Sequence, residues 1–179
     1  MIRQRVKEAY SKAAEQPSSD LPFPVGRWFA ESLGYPADLP STAIDAFTGV
    51  AAVSVFAEIP ENATVLDLGC GAGLDSCLAA RQARFVVGMD FSLPMLQRAA
   101  LSGPRNAAFV QGDGERLPLR DASIDIAMVN GIFSLNSARS QIFSELARVV
   151  KPGGTVWAAE LVRSAGSTAP PPNDANWFA

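Results

Sequence analysis

The feature that most constrains this chain is a strand that runs into a glycine-rich turn and then into a helix. Residues 64–69 form a short, β-branched, apolar run, and glycines at positions 69, 71 and 73 lead into an amphipathic segment at 71–81. Glycine lets the backbone turn sharply and removes the Cβ atoms that would keep a ligand away. The free N–H groups at the helix start add a positive dipole end. We therefore predict a ligand-binding turn at the end of a buried strand.

Alternating strands and helices continue from residue 63 onward. Strands are predicted at 64–69, 84–90, 107–112, 124–130 and 155–162, and helices at 71–81, from Ser92 onward and at 137–150. Repeated strand–helix–strand units imply a parallel sheet with right-handed crossovers. The predicted fold is therefore α/β, a Rossmann-like, doubly wound, mostly parallel sheet with helices on both faces. Ligands in such sheets bind beyond the carboxyl ends of the strands, where the strand order reverses.

The chain divides into three predicted parts. Residues 1–60 are expected to form an N-terminal helical cap that selects the substrate. Tyr10, Trp28 and Phe29 are candidates for its lid over the crevice, although core packing is favoured for Trp28 and Phe29. The helices predicted in this cap lie at 2–15, 25–33 and 42–57. Residues 61–163 are predicted to form the Rossmann-like ligand-binding domain. Residues 164–179 contain three consecutive prolines and end in Trp-Phe-Ala. We expect them to be a truncated tail, with the last strands of the sheet missing.

The composition limits the chemistry that the chain can perform. The 179 residues include no histidine, so the commonest general base and the commonest metal ligand are both missing. Histidine-dependent hydrolases and dehydrogenases are disfavoured, no metal site is predicted, and no catalytic residue is assigned. A net charge of −3 gives no attraction for nucleic acid or an anionic membrane. The lack of a signal peptide and of an apolar run of about 18 residues predicts a cytoplasmic protein.

Two carboxylates accompany the glycine turn. The glycines have the spacing Gly-x-Gly-x-Gly rather than the Gly-x-Gly-x-x-Gly of dinucleotide-binding proteins. Asp67 precedes them by two residues, and a carboxylate there suits an ammonium group better than a pyrophosphate. Asp90 ends the second predicted strand, where a carboxylate can accept both hydroxyls of a ribose. An aspartate after a strand is also a common helix cap, so the ribose role depends on the glycine turn beside it.

Candidate binding residues also follow the third and fourth strands. Asp113, between Gly112 and Gly114, can accept a hydrogen bond from the exocyclic amine of an adenine, and the backbone there can contact the ring edge. A turn rich in aspartate and glycine is the alternative interpretation. Asn130 ends the fourth strand, where it can orient a cofactor or a substrate. Phe133 fits the crevice and the core equally well.

As a set, these segments resemble the motifs of class I S-adenosylmethionine-dependent methyltransferases. The resemblance covers about residues 63–162, and its motifs lie at 65–73, 90, 112–113 and 151–154. It implies a seven-stranded sheet and S-adenosylmethionine as the cofactor. It also implies that the glycine turn meets the methionyl part, Asp90 the ribose and Asp113 the adenine. The predicted cofactor-binding residues are Asp67, Gly69, Cys70, Gly71, Gly73, Asp90, Phe91, Met95, Gly112, Asp113, Gly114 and Asn130.

A narrower resemblance links the chain to arsenite methyltransferases and their relatives. The matching positions are 32–35, 49, 130 and 135–136. This resemblance implies arsenic binding through cysteine thiolates at three positions. The chain has Val50 near the first and Gly131 at the second, and it ends near the third. Cys70 and Cys77 lie elsewhere and are interpreted as packing residues, which disfavours arsenic chemistry.

The function predicted from the sequence is methyl transfer from S-adenosylmethionine to a small-molecule acceptor. A sulfonium is a strong methyl donor, so positioning and exclusion of water can supply most of the rate. The alternative is a non-catalytic S-adenosylmethionine-binding or assembly module. A nucleotide-dependent oxidoreductase is disfavoured by the glycine spacing. The predicted partner is a small molecule, without nucleic acid or membrane, and with a homo-oligomer forming through the incomplete sheet edge.

Overall fold

A five-stranded parallel sheet organises the computed structural model, which describes residues 2–162 and Ala165. The strands are β1 (Thr64–Leu68), β2 (Phe85–Asp90), β3 (Ala107–Gln111), β4 (Ile124–Asn130) and β5 (Val150–Ala159). Their order is β3-β2-β1-β4-β5, and every pairing is parallel. The order in which successive strands are added to the sheet therefore reverses between β1 and β4. The predicted Rossmann-like, doubly wound fold is confirmed.

Helices cover both faces of this sheet. The helices are α1 (Ile2–Glu15), α2 (Arg27–Ser32), α3 (Ser41–Ile44), α4 (Val53–Phe56), α5 (Leu74–Ala79), α6 (Leu93–Ser102) and α7 (Arg139–Val149). Successive strand residues point to opposite faces. Leu66 of β1 packs on the side of Ile142 in α7, while Val65 packs on the side of Val53 in α4. None of the described helices is both long and apolar enough to cross a membrane.

The four helices before β1 are attached to the sheet domain by side chains of that domain. Arg98 of α6 donates hydrogen bonds to the Thr42 carbonyl oxygen at 2.6 Å and to the Ala14 carbonyl oxygen at 3.0 Å. The prediction that Trp28 and Phe29 share a core is wrong for Trp28, whose surface is 79% exposed. Phe29 is half-buried and packs against the core of the cap.

The single helix predicted at 42–57 is wrong, because the structure has two short helices separated by an extended turn. The Val50 and Ala51 N–H groups donate to the side-chain oxygen of Asn130, at 2.8 and 3.3 Å. Backbone N–H groups that donate to a side chain of β4 cannot also donate to the carbonyl oxygens of a continuous helix. The segment between α3 and α4 is therefore shaped by a residue about 80 positions later in the chain.

The last strand begins earlier than predicted. The 151–154 segment was expected to separate α7 from a strand at 155–162, but β5 begins at Val150 directly after α7. Val150 pairs with Ile124 and Thr155 with Ile126, so the glycine-containing segment between them forms a bulge. The described residues contain five of the seven strands that the resemblance implies. Apart from Ala165, the predicted tail at 164–179 lies outside the described residues.

Candidate functional site

A cavity opens at the carboxyl ends of the strands, between the sheet and the cap. Its empty space is about 1050 Å³, including the mouth that is open to solvent. Its walls come from the glycine turn, from the residues that follow β2, β3 and β4, from α1 and from the segment 43–49. This is the place where the strand order reverses and where doubly wound sheets bind their ligands.

The glycine turn is fixed to the end of β2 by backbone hydrogen bonds. The N–H groups of Gly69 and Cys70 donate to the Met89 carbonyl oxygen at 2.7 and 3.0 Å. Gly69, Gly71 and Gly73 have φ angles of 74°, 52° and 83°. Glycine adopts such angles without the steric cost that a Cβ atom brings. The conformation of the turn therefore depends on all three glycines.

Asp90 joins this turn to the end of β2. Its Oδ2 accepts a hydrogen bond from the Gly71 N–H at 2.9 Å, and its Oδ1 accepts one from the Ser92 N–H at 2.8 Å. Burial raises the pKa of Asp90, and the N–H groups of Ser92 and Gly71 oppose that rise. Each carboxylate oxygen keeps a second lone pair, so Asp90 can also accept hydrogen bonds from ligand hydroxyls.

Asp113 is held by an arginine of the cap. Arg3, in the first turn of α1, donates to the Asp113 carboxylate, and another nitrogen of Arg3 lies 3.1 Å from the Glu115 Oε1. The Glu115 N–H donates to Asp113 Oδ1 at 3.1 Å. Partial burial acts to raise the pKa of Asp113, but the hydrogen bonds from Arg3 and Glu115 lower it below its ordinary value. Asp113 is therefore an ionised acceptor that already contacts the cap.

A buried polar network joins the cap to the sheet beside the cavity. Asp75 of α5 is 6% exposed and accepts hydrogen bonds from the Tyr35 hydroxyl at 2.7 Å and the Ser54 N–H at 3.0 Å. Asn130 donates to the other carboxylate oxygen of Asp75 at 2.9 Å and accepts from the Val50 N–H at 2.8 Å. Burial and the charge of Asp75 raise the pKa of Tyr35, which keeps its hydroxyl a donor. Asn130 therefore positions the cap with the same amide that the sequence assigned to a ligand.

Nine of the predicted cofactor-binding residues line the cavity, namely Gly69, Cys70, Gly71, Asp90, Phe91, Gly112, Asp113, Gly114 and Asn130. The other three have packing roles outside it. Asp67 is 2% exposed and accepts a hydrogen bond from the Ser76 hydroxyl. A Cβ atom on Gly73 would lie 3.1 Å from the Ala99 Cβ. Met95 is fully buried beside the turn. We therefore leave Asp67, Gly73 and Met95 out of the proposed binding site.

The cavity also contains residues outside the predicted cofactor-binding set, and of those in α1 the sequence had indicated only Tyr10, as a candidate for the lid. Arg3, Val6 and Tyr10 line it from one face of α1, at the i, i+3 and i+7 positions. This spacing predicts an amphipathic helix but not the surface that the helix covers. Asp75 also lines the cavity, and its only sequence signal was an acid near the start of the helix predicted at 71–81. Such acids are common at helix starts, so this signal does not distinguish a site.

The two cysteines differ from the two positions that the arsenite resemblance gives to cysteine. Cys70 and Cys77 are free, buried thiols, and burial raises the pKa of both, that of Cys77 to about 11. Neither is a thiolate at neutral pH. A Cβ atom on Gly131 would lie 3.1 Å from the Val50 Cγ1. The two positions that the arsenite resemblance gives to thiolates are therefore adjacent, but they carry a valine and a glycine. Phe133 is buried in the core against Ile142 and Leu146.

The chain belongs to the methyltransferase domain family, whose sequence profile matches residues 66–158. The predicted class, the S-adenosylmethionine-dependent methyltransferases of class I, is confirmed by this match and by the fold. S-adenosylmethionine is the cofactor of that class.

Individual relatives show how widely the substrates of similar proteins differ. The chain is 33% identical over 155 residues to an arsenite methyltransferase of Halobacterium salinarum, which covers 81% of this chain and 39% of that protein. It is 36% identical over 117 residues to a tRNA (carboxymethyluridine(34)-5-O)-methyltransferase of Arabidopsis thaliana. That match covers 60% of this chain and 28% of that protein. The fold is similar to the crystal structure of an arsenic(III) S-adenosylmethionine methyltransferase from Chlamydomonas reinhardtii, with a TM-score of 0.58 and 28% identity. The similarity covers 66% of this chain and 44% of that chain. The chain spans less than half the length of each of these proteins.

Proposed function

We propose that this chain transfers the methyl group of S-adenosylmethionine to a small-molecule acceptor. Asp90 carries the proposal, because this buried carboxylate ends β2, lines the cavity and is hydrogen-bonded to the glycine turn. Membership of the methyltransferase domain family supports the cofactor. The side chains also fit it, because the carboxylates of Asp75, Asp90 and Asp113 line the cavity. Such a set suits a ligand with hydroxyl and amine donors and a positive sulfur.

The residues of the proposed complex position and enclose the reactants rather than activate them. S-adenosylmethionine supplies, when bound, a methyl group on a positively charged sulfur that is ready for transfer. Asp90 accepts hydrogen bonds from the ribose hydroxyls, and Asp113 accepts one from the adenine amine. Gly69 and Gly71 let the backbone approach the methionyl part. The apolar side chains around the cavity exclude water from the reaction.

The residues beside the end of β4 favour an uncharged or cationic small acceptor. Phe47, Ile132 and Leu135 line the cavity and supply apolar surface. Arg3 is the one cation among the lining residues, and it is already paired with two acids. An anionic acceptor would therefore meet no free positive charge in the lining. The net charge of −3 likewise favours a small molecule over tRNA, although one relative is named for a tRNA substrate.

Trivalent arsenic is disfavoured as the acceptor within this proposal. Arsenite is the substrate named for one relative. The adjacent positions of Val50 and Gly131 carry no thiol, and the thiols of Cys70 and Cys77 are buried and protonated. A thiophilic substrate therefore has no thiolate ligand among the described residues of this cavity.

Calorimetry with S-adenosylhomocysteine tests the proposed cofactor site. Asp90→Ala should weaken binding by about 1.5–3 kcal/mol, the range for a lost charge-assisted hydrogen bond. Asp38→Ala is the matched control, because this carboxylate of the cap is 69% exposed and lies outside the cavity lining. A folded Asp90→Ala protein with the affinity of the wild type would exclude Asp90 from the site.

A methyl-transfer assay tests the acceptor class. Radiolabelled S-adenosylmethionine is offered with neutral, cationic and anionic small molecules, with arsenite and with unmodified tRNA. The proposal expects transfer to a neutral or cationic small molecule. Transfer to tRNA or arsenite, with none to the other small molecules, would contradict it.

The outer edge of β5 favours the second candidate, a non-catalytic binding or assembly module. β5 is the end strand of the described sheet, and Val156 and Leu161 next to this edge are 41% and 59% exposed. An exposed strand edge can pair with another strand, including that of a second copy. Tight binding of S-adenosylhomocysteine with no turnover on any acceptor would favour the module. Sedimentation equilibrium would measure the self-association.

A further inference from the structure

Helix α1 is attached differently at its two ends. Towards its C-terminal end, Arg98 of α6 donates to the Ala14 carbonyl oxygen at 3.0 Å, and the hydroxyl oxygens of Ser11 and Ser92 lie 3.0 Å apart. At the first turn, the hydrogen bonds to the sheet domain among the described residues are those of Arg3 with the two acids that follow β3. The C-terminal half is thus anchored to α6, while the first turn is held by exposed ion pairs.

The exposed end of α1 covers the adenine side of the proposed site. Arg3, Val6 and Tyr10 line the cavity from α1, and Asp113 lines it from the turn after β3. Arg3 thus contacts the same carboxylate that the proposed function assigns to the adenine amine. A carboxylate has about four lone-pair positions, so Asp113 can accept from both groups together.

We propose that Arg3 is a cofactor-retaining residue that fastens α1 as a lid over the adenine side of the site. The inference rests on the proposed function, because it concerns the same cavity. Release of the nucleoside requires the first turn of α1 to move away, and this movement breaks the ion pairs of Arg3 with Asp113 and Glu115. The anchored C-terminal half of α1 is the fixed end of this movement.

The exposure of the ion pairs sets the size of the expected effect. The side chain of Arg3 is 56% exposed, and those of Asp113 and Glu115 are 41% and 27% exposed. Ion pairs of this exposure are weak, so their loss should speed cofactor release by about two- to fivefold. Salt screens exposed charges, so release from the wild type should also become faster as the salt concentration rises.

Release of radiolabelled S-adenosylhomocysteine into an excess of the unlabelled compound measures this effect on the full chain. The ligand is a zwitterion, which limits direct salt effects on it. Arg3→Gln should release it about two- to fivefold faster, and Arg3→Lys should fall between. Arg5→Gln is the matched control, because Arg5 is exposed on the same helix, outside the cavity lining, without a hydrogen bond or ion pair to any described residue. Its release rate should equal that of the wild type.

The salt dependence separates a retaining role from a structural one. Between about 50 and 500 mM salt, the wild type and Arg5→Gln should speed up, while Arg3→Gln should change little. An Arg3→Gln rate equal to that of the wild type would overturn the inference. A faster release rate that keeps the full salt dependence of the wild type would also overturn it. So would a faster release rate if the ligand-free Arg3→Gln protein lost as much free energy of unfolding as the rate change represents. If the wild type retains no S-adenosylhomocysteine, the proposed function itself fails. If Arg3→Gln releases the ligand at the wild-type rate while Asp90→Ala weakens binding as expected, only the lid inference fails.

Discussion

The glycine turn and the cap face the same cavity, but different interactions hold them in place. The turn is fixed by the N–H groups of Gly69 and Cys70, which bind the neighbouring strand through the backbone. The cap is fixed by side chains that are distant in the sequence, such as Asn130, which is 80 positions from Val50, and Arg98, which is 84 positions from Ala14. The comparison shows that the proposed cofactor half depends on glycines, whereas the proposed substrate half depends on a few buried polar side chains.

The largest expected effect concerns the polar network of the cap. Asp75→Ala leaves the donors of Tyr35, Ser54 and Asn130 without their buried acceptor. We expect the free energy of unfolding, measured with urea, to fall by about 3 kcal/mol. The exposed-carboxylate variant Asp38→Ala should change it by less than about 0.5 kcal/mol. Equal effects of the two substitutions would mean that the network does not hold the cap.

Substitution of the turn glycine tests the other half of the comparison. Gly71 and Gly34 both have positive φ angles, of 52° and 98°, and Cβ atoms at both positions have room. Gly71→Ala and Gly34→Ala should each cost about 1–2 kcal/mol of stability through backbone strain. Only Gly71→Ala should also weaken S-adenosylhomocysteine in calorimetry, and Gly71→Val should weaken it further. Equal binding by both alanine variants would show that the ligand does not approach the turn.

The buried carboxylate under the turn makes stability depend on pH. Burial and the charge of Asp75 raise the pKa of Asp67 to about 8. In the unfolded chain the same group ionises near its ordinary value of about 3.9. The folded state therefore binds more protons between these values, and stability falls as the pH rises through this range, by at most about 1.4 kcal/mol per pH unit.

Asp67→Asn tests this pH dependence. The variant should lose less stability than the wild type between about pH 5.5 and pH 7.5 in urea titrations, because its amide carries no ionisable proton. The affinity for S-adenosylhomocysteine should stay unchanged, since Asp67 lies outside the cavity lining. The same decline in both proteins would show that Asp67 is ionised in the folded state.

The smallest expected effect separates two neighbouring aromatic residues of the cap. Trp28 is 79% exposed, whereas Phe29 is half-buried with its ring centroid 6.0 Å from that of Phe47. Trp28→Ala should change the thermal midpoint by an amount equivalent to less than about 0.5 kcal/mol. Phe29→Ala should cost about 1–2 kcal/mol, because part of its ring is buried. A larger loss of stability for Trp28→Ala than for Phe29→Ala would mean that α2 buries the opposite face.

The sheet could be predicted from the sequence because its signals are local. The apolar run of β1, the glycines that follow it and the aspartate that ends β2 lie within about 27 residues, from Thr64 to Asp90. Parallel strands also bring their carboxyl ends together, so the sequence alone predicts that Asp90, Asp113 and Asn130 lie in one crevice. The cofactor role of Asp67 stays a prediction, although its side chain is buried against Ser76 and lies outside the cavity lining.

The cap could not be predicted to the same depth. The 42–57 segment is apolar enough for a helix, but the carboxamide of Asn130 takes up two of its N–H groups. A Cβ atom on Gly49 would lie 2.5 Å from the same carboxamide, which explains the glycine there. The pairing of Arg3 with Asp113 spans 110 positions and has no local pattern. Such contacts depend on the completed fold rather than on neighbours in the chain.

Asp75 has a consequence for recombination between related enzymes. Its hydrogen-bond donors come from Tyr35 and Ser54, which precede it in the sequence, and from Asn130, which follows it. A crossover placed between Ser54 and Asp75 would separate the acceptor from two of its donors. A hybrid that takes its first 60 residues from a parent with apolar side chains at those two positions would keep the backbone N–H bond from position 54 but lose both hydroxyl donors to Asp75, so we expect it to be less stable than either parent.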